Sequence, residues 1–137
     1  KFRAIFADRD GNPAAFIMFH EMTPTTLAAS LLATDRWLDV VRPLMRWGIS
    51  LFRPQALELG YKRCECRTLA GHEEAINFLE RFGFRWELDI PDFGRNGEMF
   101  RQFAWRFSDH VYFFQSQNAK NAGAAEAPPE RGRVRNA

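Results

Sequence analysis

GHEEAINFLERFGF, residues 71–84, is the segment from which the rest of the chain can be read. Ala75, Ile76, Leu79 and Phe82 recur at the spacing of one helix face, which predicts an amphipathic helix over residues 73–82. Gly83 is a natural stop, because glycine takes the left-handed conformation that closes a helix. Phe84 then leads into an alternating run, so the unit is a helix that ends on glycine and enters a strand.

Downstream, residues 85–90 alternate, with Trp86, Leu88 and Ile90 expected to face inward. Phe93-Gly94-Arg95-Asn96-Gly97 reads as a hairpin loop. Residues 99–107 form the returning strand, with Phe103, Trp105 and Phe107 on one face. Upstream, residues 61–69 alternate, with Cys64, Cys66 and Thr68 on the buried side. Before them, Val40, Val41, Leu44, Met45, Leu51 and Phe52 follow a helical period. Pro43 suits the first turn of that helix, Pro54 should kink or interrupt it, and Gly60 should cap it. The N-terminal part reads as a hairpin of residues 2–7 and 14–22 around a turn-rich Asp8–Pro13 segment, followed by a third strand at residues 26–33.

Hydrophobic residues make up 46% of the 137-residue chain and aromatics 15%, enough to bury one real core. The formal net charge of +2 makes nucleic acid an unlikely partner and gives no case for a membrane surface. No run reaches the roughly 18 apolar residues of a membrane span, and no signal peptide is visible. Cys64 and Cys66 sit two apart in a strand, about 7 Å from each other, beyond comfortable disulfide reach. Without further ligands at suitable spacing, they are expected to be buried, reduced thiols rather than a zinc site. Neither a Ser-His-Asp set nor a phosphate-binding P-loop occurs.

The strand–strand–strand–helix–strand–helix–strand–strand order resembles the C-terminal two-thirds of the GCN5-related N-acetyltransferase (GNAT) family. Gly60-Tyr61-Lys62-Arg63, residues 71–84 and Trp86-Glu87 carry the resemblance, which spans about residues 2–107. It implies an α/β (α+β) fold: a mixed, largely antiparallel sheet with helices on its faces, its N-terminal elements missing or truncated. It also implies three parts of an acyl-CoA site. One is a glycine-rich pyrophosphate cradle, Arg/Gln-x-x-Gly-x-Gly/Ala, at the start of the central helix. Another is a splay between two central strands that takes the pantetheine arm. The last is a Tyr on the following helix that protonates the leaving thiolate.

The chain departs from that pattern. The cradle would fall in residues 34–48, where there is no Gly-x-Gly, and the first glycine is Gly48, inside the predicted helix. Trp37 and Leu38 add bulk there, and Asp35 and Asp39 add negative charge. Leu79 stands in the place of the Tyr, and His72 in that of a frequent Asn. A narrower resemblance, carried by Thr34-Asp35-Arg36-Trp37, the basic helix of residues 42–53 and Gly71-His72, is to GNAT-like internal virion proteins of short-tailed phages.

The leading expectation is accordingly a phage virion-associated or assembly protein with a degenerate acetyl-CoA site. It would act through protein–protein contacts, with no or weak catalysis and no cofactor, in the host cytoplasm or the virion. The alternative is an acetyl-CoA-dependent N-acyltransferase with a non-standard pyrophosphate loop. That reading requires an open cleft between the third and fourth strands, reaching the start of the central helix.

Candidate catalytic residues are His20, Glu21 and His72, against plainer roles as an exposed strand end and a helix cap. Asp35 is expected to be an N-cap. Candidates for acetyl-CoA are Leu32, Ala33, Thr34, Arg36 and Arg42. Arg42, Arg46 and Arg53 read as a solvated stripe, and the four tryptophans as core or interface. Residues 108–137 form an extended C-terminal tail too polar to order itself, beyond a domain of residues 1–107. Tyr112, Phe113 and Phe114, with Arg131, Arg133 and Arg135, are the candidate contacts to another chain.

Overall fold

Asp8 organises the first turn: its Oδ1 accepts the backbone N–H groups of Asp10 and Asn12, and Gly11 takes φ +83°. This turn joins β1 (Phe2–Ala7) to β2 (Pro13–Thr23), and β2 returns as β3 (Thr26–Ala33). The computed structural model describes residues 2–109. The tail candidates Tyr112, Phe113, Phe114, Arg131, Arg133 and Arg135 lie outside the described residues.

A short 3-10 turn (Trp37–Asp39) leads into α1 (Val41–Trp47), a wide π-helical turn (Gly48–Phe52) and α2 (Arg53–Glu58). Then follow β4 (Arg63–Leu69), α3 (Glu73–Phe82), β5 (Arg85–Ile90) and β6 (Phe100–Arg106). The six strands form one sheet in the order β1-β2-β3-β4-β6-β5, in which only the β3–β4 pair is parallel.

The expected break at Pro54 is absorbed. Pro54 falls in the first turn of α2, directly after the π-helical turn. The widened turn before it keeps right-handed helical dihedrals at both ends, so the central helix runs on.

The core is aromatic. Phe52 stacks on Phe19 with ring centroids 3.9 Å apart, and Trp105 meets Phe82 edge-on at 5.0 Å. Gly48 lets the central helix approach α3: a Cβ there would lie 2.1 Å from Phe82 Cζ.

Three expectations about facing fail. Trp86 and Leu88 are 55% and 45% exposed. Trp86 pairs with Phe103 but Leu88 with Gln102, because the register shifts between them. Neighbouring residues on β6 point to opposite faces, so the bulge puts Trp86 and Leu88 on different sides of an edge strand. Arg53 is buried rather than solvated; its Nε and Nη2 donate to the Phe107 carbonyl at 3.2 and 2.9 Å. Asp35 is not the cap: Thr34 Oγ1 accepts the Arg36 N–H, and Val40, the N-cap of α1, makes no side-chain capping bond.

Candidate functional site

The parallel strands β3 and β4 pair over only three positions, Thr26–Arg63, Leu27–Cys64 and Ala28–Glu65. Beyond Ala28 and Glu65 they part. β2 stays paired with β3 as far as Ala33, and β6 with β4 as far as Leu69. Each strand is thus held on its outer side while the inner sides diverge toward their C-terminal ends. The opening is a cleft of about 600 Å³.

Ala29, Leu31 and Ala33 of β3 and Cys66 and Thr68 of β4 line it. Ala29 and Leu31 lie opposite Phe19 and Ile17, on the helix-covered face, and Ser30 and Arg67 complete the strand lining. Alternate residues of a strand share a face, so Leu32 turns away and is 71% exposed. From α3, Ala75, Phe78, Leu79 and Phe82 form the lid-side wall. Small residues on the sheet face large ones on the helix across the opening.

Two helical segments begin near the cleft, and several of their first N–H groups are bonded within the chain. In the turn after β3, Thr34 Oγ1 takes the Arg36 N–H and Thr34 O the Trp37 N–H. Arg36 O then takes the Asp39 N–H, and Trp37 O the Val40 N–H. Trp37 crosses the mouth and meets Phe78 edge-on, centroids 4.6 Å apart. At the start of α3, His72 Nδ1 accepts the Ala75 N–H at 3.2 Å and His72 O accepts the Ile76 N–H. The bond from Ala75 engages His72 Nδ1 as the cap of α3.

The candidates scatter around this site. Ala33, Thr34 and His72 line the cleft; Leu32, Arg36 and Arg42 do not. Arg36 is engaged in an ion pair with Asp8, and Arg42 is exposed on α1. His20 and Glu21 sit at the far end of β2, beside Tyr61, whose hydroxyl donates to Glu21 Oε2 at 2.6 Å. Leu79, on the apolar face of α3, is half-buried, touching the core on one side and the cleft on the other.

Cys66, Phe78 and Trp37 are among the cleft residues the sequence did not single out for this role. The Trp37–Phe78 contact joins segments 41 residues apart in sequence, which no local period can reveal. Cys64 and Cys66 are free thiols. Burial raises both, Cys66 to about 12 and Cys64 well above its ordinary value, so both are protonated near neutrality. No group of three or more potential metal-binding side chains occurs among the described residues.

No protein-family model and no curated protein sequence matches the chain. Many solved structures do match in shape. One is a mutant of the spermidine N-acetyltransferase SpeG from Vibrio cholerae, with TM-score 0.61 and 12% identity, covering 80% of this chain and 67% of that one. Another is Ard1 from Thermoplasma volcanium, with TM-score 0.60 and 17% identity, covering 70% and 64%. A third is an acetyltransferase of the GNAT family from Bacillus anthracis, with TM-score 0.54 and 11% identity, covering 73% and 62%. The chain thus spans about two thirds of the length of these proteins, and at such identities the likeness speaks to the fold: this is a GNAT-like mixed α/β domain.

Proposed function

We propose that the chain is an N-acyltransferase that takes its acyl group from a thioester whose arm lies in the β3–β4 cleft. The observation that carries this reading is the splay. Two parallel strands in the middle of a sheet give up their pairing after three positions, and the gap opens as far as Thr34 and Trp37 before the central helix. Unmade backbone bonds in a sheet interior are costly unless something else meets them. An extended amide-bearing arm can supply those partners from between the strands. In the transfer, the acceptor amine attacks the thioester carbonyl, the C–S bond breaks, and the proton lost by nitrogen ends on the departing sulfur.

The test is amine-dependent release of thiol from millimolar acetyl thioester, in the wild type and in Ala29→Trp, which fills the slot. Release that the wild type accelerates and the variant does not is expected. Equal rates in the two proteins would overturn the reading.

A second reading, a non-catalytic role in a phage particle, draws on the closed hydrogen bonding of the Thr34–Val40 turn and on Leu79 in place of a proton donor. It predicts no binding of any acetyl thioester at millimolar concentration and incorporation of the chain into a larger protein assembly.

A further inference from the structure

The cleft and its mouth select for different chemistry. The slot has apolar walls in Ala29, Leu31, Phe78 and Leu79, with Ser30, Arg67, Thr68, His72 and Glu74 as its polar lining. A nucleotide diphosphate emerging at the mouth would need backbone N–H donors or free cations. The N–H groups of Arg36, Trp37, Asp39 and Val40 are bonded within the turn. Those of Ala75 and Ile76, at the start of α3, are bonded to His72.

The charges at the mouth are of the wrong sign as well. Asp35 and Asp39 lie on the turn, and Glu73 and Glu74 on the first turn of α3. Of the nearby cations, Arg36 is paired with Asp8, and Arg42 is exposed on α1 but is not on the cleft lining. Arg67, on the cleft lining, holds its guanidinium 5.6 Å from the centre of the Phe93 ring. An anion with several charges would lose its hydration at this mouth and gain few partners.

We infer that the acyl donor is a thioester on a pantetheine-type arm without an adenosine diphosphate at the cleft mouth. This rests on the reading of the cleft as a thioester site. Two sources share that chemistry: a free pantetheine thioester, and an arm carried on an acyl carrier protein.

Calorimetric titration of the full chain with S-acetyl-pantetheine and with acetyl-CoA, each at low and high salt, separates the possibilities. S-acetyl-pantetheine should bind, and acetyl-CoA should bind no more than about 3-fold tighter, with its affinity rising as salt screens the acidic mouth. Acetyl-CoA binding tenfold or more tighter, and weakening with salt, would show that the diphosphate is held; the thioester reading would survive and this inference would not. Binding of neither ligand at millimolar concentration would overturn both. Ala29→Trp, checked for folding by circular dichroism, should abolish the S-acetyl-pantetheine signal, and a retained signal would place the arm elsewhere and overturn the inference. An acetylated acyl carrier protein distinguishes the sources: tighter binding than the free arm points to the carrier, and equal binding to free pantetheine.

Discussion

Gly48 shows how much one missing side chain decides. It lies buried where the central helix crosses Phe82, with ordinary helical dihedrals. Alanine would gain about 1 kcal/mol of helix propensity there. It would also put a Cβ into the Phe82 ring, which is 2% exposed and packed against Phe78, Phe84 and Trp105. Overpacking of this kind costs about 1–3 kcal/mol, so Gly48→Ala should lower the melting temperature despite the better helix former. A higher melting temperature would show that α3 can yield. Cys66 offers a second test at this scale. Folding holds its proton to about pH 12 against an ordinary value near 9. Stability from this source is therefore intact below pH 9 and is lost as the pH rises toward 12. The melting temperature of the wild type should fall more steeply than that of Cys66→Ala across that window. Parallel curves would mean that the thiol is in contact with water.

At the scale of elements, α3 is the clearest case of a boundary set locally. His72 caps it and Gly83 ends it at φ +117°, and both lie where the residue types put them. Its buried side is a compromise between core and cleft. Leu79→Ala should consequently cost about 2 kcal/mol, at the low end for a large-to-small change, because the wall it leaves is already open on one side. Chemical denaturation measures this, and a loss of 4 kcal/mol or more would mean that the cleft is closed in solution. Arg53 ties the start of α2 to the end of β6. Arg53→Ala leaves the buried Phe107 carbonyl without these bonds, for an expected loss of about 1–3 kcal/mol. The sequence could not show this, since the two residues are 54 apart and an arginine on a helix is ordinarily solvated.

Across the whole molecule, the sheet has a closed side and an open side. Ala56 is wholly buried among core residues, whereas Ala29 faces the cleft. Tryptophan at the two positions should behave differently. Ala29→Trp projects into the opening and should change stability by no more than about 1 kcal/mol. Ala56→Trp enters close-packed core and should cost about 3 kcal/mol or prevent folding. Similar losses at both sites, read from melting curves, would argue that the splay closes in solution.

Residue type and local period determined the strands, the helix of Glu73–Phe82, the capping glycines and the missing glycine cradle, because these depend on neighbours in sequence. Tertiary structure decided the rest. A bulge at the sheet edge placed Trp86 and Leu88, overriding alternation. The strand order brought β3 beside β4 across the intervening helices and then let them part, creating a cleft that neither strand encodes alone. Trp37 and Phe78 met across its mouth for the same reason. Local sequence fixes which way a side chain points along its own strand or helix; only packing fixes what stands opposite it, and a binding site consists of what stands opposite.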